Sequence, residues 1–376
     1  MRWIARTIPL LLLAACATPI APRAAPTQAS EPRIGTPSPS PTTILPPPST
    51  AFGILLDSGP GKAYSVTLIS SEGKVVAKQA ARLPDVFSYT RVPPATPLVS
   101  ASGSRAYFLD GNGDVRYVAP DGRSGLAVHV PEDQHTAIAF APSPDDSRIA
   151  VSTLTYAGAE TSAPVHLRMW LQDLDGRNVQ ELFSSDQVTE WPVGWHAGNL
   201  VVGVGPAWAG NAATNPYNVF NGYHVVSPAS GDRIVTMATD CSFGPLIAAG
   251  TACARADGGY GVVGWDGAFT RYGTTTSGAL FDLRAAPDGS SLSGRPGPIG
   301  TPLTLYARDG SSSSEKPSGV SMGWIDPAHV VYVTFDPGAP FARHVLDIRN
   351  GSVTDLPDCE CGNSGVFAGT VPAALG

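Results

Sequence analysis

The chain has 376 residues, of which 43% are apolar, so it can bury a core, while 41 glycines and 36 prolines interrupt any long helical period outside the N-terminus. Charged residues make up 15% and the net charge is −7. No basic block is present to neutralise a phosphate backbone, which argues against nucleic acid as a partner.

In chain order, Arg2 and Arg6 precede an apolar run from Ile8 to Ala15. That run is too short to span a bilayer and has the form of a secretory signal. It ends in Leu13-Ala14-Ala15-Cys16, which resembles the bacterial lipoprotein box. The resemblance implies cleavage after Ala15 and a lipidated Cys16, hence a signal peptide over 1–15 and an extracytoplasmic, lipid-anchored protein. Residues 17–50 carry ten prolines with Ala, Ser and Thr. Such a segment cannot bury enough apolar surface to fold; it tends to polyproline II and reaches on the order of 100 Å, so 16–50 is predicted to be a tether.

From Ala51 to the end, one turn recurs. Apolar, strand-like runs are joined at Glu72-Gly73, Asp121-Gly122, Asp175-Gly176, Ser230-Gly231, Asp266-Gly267, Asp309-Gly310 and Asn350-Gly351. Asp-Gly and Asn-Gly between such runs signal hairpins, most simply two-residue primed turns that need φ > 0. The glycines recur every 36 to 55 residues, about one four-stranded propeller blade each. The third unit shows all four strands: Thr136–Phe140, Arg148–Val151, His166–Leu174 and Asn178–Phe183. The predicted fold is all-β, a seven-bladed β-propeller over 51–376, with six or eight blades as alternatives. The first unit lacks an innermost strand, and the last apolar run, Gly365–Val371, lacks a partner; pairing the two would close the ring and protect its edges.

Ser143-Pro-Asp-Asp-Ser-Arg-Ile-Ala-Val151 resembles the core of the WD40-like repeats in TolB-type propellers, and Ala286-Pro-Asp-Gly-Ser-Ser-Leu292 is a weaker copy. Trp265-Asp266 is similar to the WD dipeptide of true WD40 repeats. The resemblance implies architecture and brings no functional residues with it.

Four cysteines remain after Cys16: Cys241, Cys253, Cys359 and Cys361. An exported domain favours disulfides, and of three pairings Cys241–Cys253 closes a short local loop; crossed pairings and a zinc site built on the Cys359-x-Cys361 pair stay open. Gly319-Val-Ser-Met-Gly323 matches G-x-S-x-G, yet a strand-like run follows it directly instead of a helix, so Ser321 is placed on an inner strand and no catalytic residue is assigned. Asp110-Gly-Asn-Gly-Asp114 has the alternating oxygens of a calcium loop with Asp121 at the twelfth position, but Val115 replaces the bending glycine and strands flank it; a plain turn is the better account, and no metal or cofactor is expected.

The most distinctive stretch is Pro206–Gly222, inserted between the second and third strands of blade four. Trp208, Tyr217 and Phe220 stand there among Asn211, Asn215, Asn218 and Asn221. Aromatic faces with side-chain amides suit sugar or peptide recognition. The loops 155–164 and 336–341 of blades three and seven should emerge on the same face. The expected function is a binding or scaffolding module for a protein, peptide or glycan. Alternatives are an enzyme with a central-channel site and an envelope-assembly factor of the TolB kind.

Overall fold

All seven turn glycines adopt positive φ, from 72° to 87°. The turns differ from the expected primed pairs. In blades one to three, five and six the loop has three residues: at the first, Ser70 N donates to Lys74 O at 2.8 Å and Gly73 N to Ser70 O at 2.9 Å. A right-handed turn followed by one left-handed residue needs φ > 0 only at Gly. The preceding acid has another task. Asp121, Asp175, Asp266 and Asp309 each accept, through Oδ1, the amide just beyond the glycine at 2.9–3.1 Å. This side-chain bond mimics a backbone turn and selects Asp or Asn at that place.

The computed structural model describes residues 50–375 except 90–95, 132–133, 159–165, 206–221, 238–240, 276–279, 299, 335–340 and 358–364. Its strands form seven four-stranded antiparallel blades arranged as a β-propeller. From innermost strand outward, blade two holds Val99–Ala101, Ala106–Asp110, Asp114–Val118 and Ser124–His129. Blade three holds Thr136–Pro142, Arg148–Thr155, His166–Asp173 and Gln180–Ser185. Blade four holds Glu190–His196, Asn199–Val204, Gly222–Val226 and Arg233–Met237. Blade five holds Cys241–Ile247, Gly250–Arg255, Gly259–Val263 and Phe269–Thr274.

Blades six and seven are continuous. Phe281–Ala285, Ser291–Arg295 and Pro302–Ala307 are followed by one strand, Ser312–Asp326, whose first half closes blade six and whose second half opens blade seven. His329–Thr334, Ala342–Asp347 and Ser352–Asp355 complete the seventh. Helix is confined, among the described residues, to the single turn Val86–Tyr89 on the way from blade one to blade two.

Blade one is assembled from both ends of the domain. Phe52–Ser58, Ala63–Ser70 and Val75–Arg82 come first in the chain, and Val366–Val371 supplies the innermost strand, in register Phe52↔Val371 and Leu56↔Val366. Closure occurs where the sequence places it. A buried ion pair backs it: Arg343 Nη1 of blade seven lies 2.5 Å from Asp57 Oδ1 of blade one, and Nη2 donates to Pro357 O at 2.6 Å.

The core lies between blades because each sheet buries both faces against its neighbours. One cluster joins Ile54, Val66 and Leu68 to Tyr107, Phe108 and Leu109, then to Ile138 and Ile149, across three consecutive blades. Polar clasps cross the seams between blades. Trp195 Nε1 donates to Ala141 O at 3.0 Å, Trp324 Nε1 to Arg284 O at 3.3 Å, and the Tyr64 hydroxyl to Leu109 O. Burial pushes the Tyr64 hydroxyl well above the usual phenolic range.

Candidate functional site

Three places could carry function: the central channel, its end where the first and second strands of the blades are joined, and the opposite end. The innermost strands present a mostly apolar wall, with Val99, Phe140, Leu246, Trp324 and Phe367 around a cavity of about 70 Å³. Glycines set how near the contents come. A Cβ at Gly194 would overlap Leu375, and one at Gly323 would overlap the Phe367 ring. Each glycine precedes a tryptophan, Trp195 or Trp324, that turns into the seam between blades.

The chain's own C-terminal residues close one end of this channel. Beyond Val371 the backbone leaves blade one, and Ala373 N donates to Ser102 O of blade two at 2.8 Å. Thr370 Oγ1 donates to Pro372 O at 2.8 Å, and His196 Nδ1 of blade four donates to Leu375 O at 3.0 Å. The Leu375 side chain is buried at 6% exposure in a cluster with Trp191, Val201 and Leu246. His196 is held by stacking on Trp265, with centroids 4.6 Å apart and planes 15° apart, and Trp265 Nε1 donates to Ala248 O at 2.8 Å. The tail therefore crosses from blade two to blade four. Nothing in the composition of Pro372-Ala-Ala-Leu375 announced this role.

Among the described residues lining the cavity, the ionisable side chain is that of Arg284. It is 7% exposed; Nη1 donates to Leu283 O at 2.9 Å and Nε to Met322 O at 3.3 Å. A guanidinium held this way stiffens the wall.

At the opposite end, the loop 206–221, with Trp208, Asn211, Asn215, Tyr217, Asn218 and Phe220, lies outside the described residues, as do 159–165 and 335–340. Described neighbours on that end include Phe281, which opens the first strand of blade six, and Phe341, just before the third strand of blade seven; they are 46% and 38% exposed. Strand direction puts both at the end of their blades from which the second-to-third-strand loops leave. The Arg295 guanidinium lies 5.7 Å from the Phe281 ring centroid and pairs with Asp282.

Other residues singled out from the sequence fall in plain structural settings. Ser321 is 1% exposed on the inner strand of blade seven, its Oγ 2.6 Å from Ser293 Oγ, and another strand follows it. The oxygens of the 110–114 turn diverge. Asp110 accepts from Arg82 N at 3.0 Å, Asn112 Oδ1 from Asp85 N at 2.7 Å, and Asp114 Oδ1 lies 2.6 Å from His129 Nδ1. Asp121 pairs with Arg123. The turn thus fastens the connection leaving blade one; Lys62 bonds Asp85 at 2.7 Å and lowers its pKa.

A disulfide joins Cys241 to Cys253, across the first and second strands of blade five, with Cα atoms 5.1 Å apart. Cys16, Cys359 and Cys361 lie outside the described residues.

No protein-family model matches the chain, and no curated protein matches it in sequence. Among solved structures it is similar to dihydro-heme d1 dehydrogenase NirN in complex with DHE, at 14% identity and TM-score 0.50, over 86% of this chain and 76% of that one. It is also similar to an acylaminoacyl peptidase in complex with Z-Gly-Gly-Phe-chloromethyl ketone, at 11% identity and TM-score 0.48, over 82% of this chain, and spans about half (53%) of the peptidase's length. TolB from Acinetobacter baumannii is similar at 11% identity and TM-score 0.37, over 85% of this chain and 66% of that one. Likeness at these identities concerns the fold alone.

Proposed function

We propose that this protein is a lipid-anchored, extracytoplasmic β-propeller that acts as a binding or scaffolding module, engaging a protein, peptide or glycan through the end of the ring that carries the 206–221 insertion. The reading rests on one observation. The channel wall is apolar, its buried guanidinium donates to backbone carbonyls, and residues 373–375 fill one end, so among the described residues reacting groups do not converge there. Function then belongs to the loops at the other end, where Phe281 and Phe341 are exposed and aromatic faces suit recognition.

Anchoring follows from Arg2, Arg6, the Ile8–Ala15 run and Cys16. Labelled palmitate should enter the parent chain and not a Cys16→Ser variant; equal labelling of both would remove the anchor. For binding, the full chain should capture a membrane or envelope component that a chain lacking 207–221 does not. Capture unchanged by that deletion and by Phe281→Ser with Phe341→Ser would overturn the assignment of this face.

A further inference from the structure

The seam between blades one and seven carries polar groups that the packing does not use. In blade one, Asp57 stands opposite Ser65, Ser65 opposite Ala80, and Thr67 opposite Lys78. Strand alternation puts Asp57, Ser65, Thr67 and Lys78 on one face. That face meets blade seven: Asp57 pairs with Arg343, and Leu55, two residues before Asp57, packs with Val331 and Val345. Two buried atoms on this seam have no hydrogen-bond partner, Thr67 Oγ1 and Arg343 Nε, on residues 5% and 4% exposed. Leaving a buried polar group unpaired lowers stability, so two on one seam are a cost that dry packing does not explain.

A cavity of about 230 Å³ opens at this place, lined by Asp57, Ser58, Tyr64, Ser65 and Lys78. It shares Asp57 with the Arg343 pair and Lys78 with the row that holds Thr67, at the end of blade one from which the connection between Phe52–Ser58 and Ala63–Ser70 leaves. One water takes up about 30 Å³ of the liquid, so the cavity has room for a small molecule. Its charges are unbalanced. The Asp57 carboxylate is offset by Arg343, whereas Lys78 forms no ion pair among the described residues, and one positive charge is left over. An ammonium only donates, and the Ser58 and Ser65 hydroxyls can do either. Such a set suits a ligand with one anionic group and several hydroxyls.

We propose that this cavity binds a small hydroxylated organic anion, a carboxylate or phosphate carried on a short polyol chain or sugar ring. Lys78 holds the anionic group, Ser58, Ser65 and the fixed Asp57 carboxylate read hydroxyls, and Thr67 Oγ1, one step deeper on the same face, meets the innermost of them. The residues of the cavity lie outside 206–221, so the inference stands apart from the role given to that insertion.

The test is isothermal titration of the full chain with gluconate and with glycerol 3-phosphate. Glucose and inorganic phosphate are the controls, carrying the hydroxyls or the charge alone. One of the organic anions should bind saturably, at least tenfold more tightly than both controls, and the tighter of the two identifies the anionic group. Lys78→Gln, at an exposed position, should weaken that binding at least tenfold. Thr67→Val should weaken it as well, while raising the urea midpoint of the ligand-free chain, because it removes a buried hydroxyl that lacks a partner. Deleting 207–221 should leave it unchanged. No saturable binding of either anion by the folded parent, or equal binding by the Lys78→Gln chain, would overturn the proposal. Inorganic phosphate binding as tightly as glycerol 3-phosphate would show an adventitious ion only, and loss of binding on deleting 207–221 would place the site elsewhere; both results would overturn it too.

Discussion

Ending the chain at Gly365 removes the strand that closes the ring, and the loss can be added up. Phe367, Val371 and Leu375 are 7%, 1% and 6% exposed, and burying each such side chain is worth about 2 kcal/mol, so roughly 6 kcal/mol goes with them. Backbone pairing with Phe52–Leu56 adds a few net hydrogen bonds at about 1 kcal/mol each. Ile54, Leu55 and Ile325, all at or below 1% exposure, would be uncovered in part. The total, on the order of 10 kcal/mol, equals the stability of a typical domain. A chain ending at Gly365 should therefore show no cooperative urea transition by tryptophan fluorescence or far-ultraviolet circular dichroism. A chain ending at Pro372 forfeits the Leu375 socket and two hydrogen bonds, about 2–4 kcal/mol, and should keep a cooperative transition with an unchanged slope at a lower midpoint. Cooperative unfolding of the Gly365 chain with the parent's slope, and a midpoint within about 0.5 M of it, would refute closure as the source of stability.

Asp146 holds a φ of 59° and accepts from the Tyr107 hydroxyl at 2.7 Å and from Ser104 Oγ, tying blade three to blade two. Asp146→Ala keeps the backbone strain and loses both bonds, while Asp146→Gly loses only the bonds; both should be less stable than the parent, alanine by about 1 kcal/mol more than glycine, and equal denaturation midpoints would refute this. Asp145 is pushed down to about 2 by the Ser143 and Ser147 hydroxyls, and Asp347 to about 2 by the Arg349 guanidinium. Depressed carboxylates contribute stability that is present above their unfolded values near 4 and lost as pH falls toward 2. Asp145→Asn should thus flatten slightly the fall of melting temperature between about pH 4 and pH 2, and a steeper fall would reverse the sign. Removing the disulfide by Cys241→Ala with Cys253→Ala, which opens a link between residues 12 apart, should cost about 3 kcal/mol in urea titrations and leave the ring folded; an unchanged midpoint would show the link to be energetically idle.

The architecture was legible because its punctuation is local. A glycine with positive φ is written into the sequence at each outer turn, and the unpaired run Gly365–Val371 pointed to its partner by elimination. The form of the turn was misjudged, since Asp-Gly serves both the primed pair and the three-residue loop; the amide-accepting role of Asp121 or Asp175 separates them only once the bonds are seen. The tail escaped notice because Ala-Ala-Leu carries no periodicity, and its socket is made by Gly194, a residue whose contribution is space. A usable signal existed: Gly-Trp occurs at matching places on the inner strands of blades four and seven, where small size on one side and a blade-spanning indole on the other are both required. The aromatic insertion was conspicuous in sequence, but 206–221 lies outside the described residues.

The first described strand, Phe52–Ser58, is not an edge strand: Val366–Val371 flanks it on one side and Ala63–Ser70 on the other. Traction applied through residue 50 runs along two antiparallel ladders at once. The strand cannot be peeled one bond at a time; it has to slide past both neighbours together. Under the anchoring proposed above, the pull would therefore meet the ring at a strand held on both sides, where it is resisted in shear.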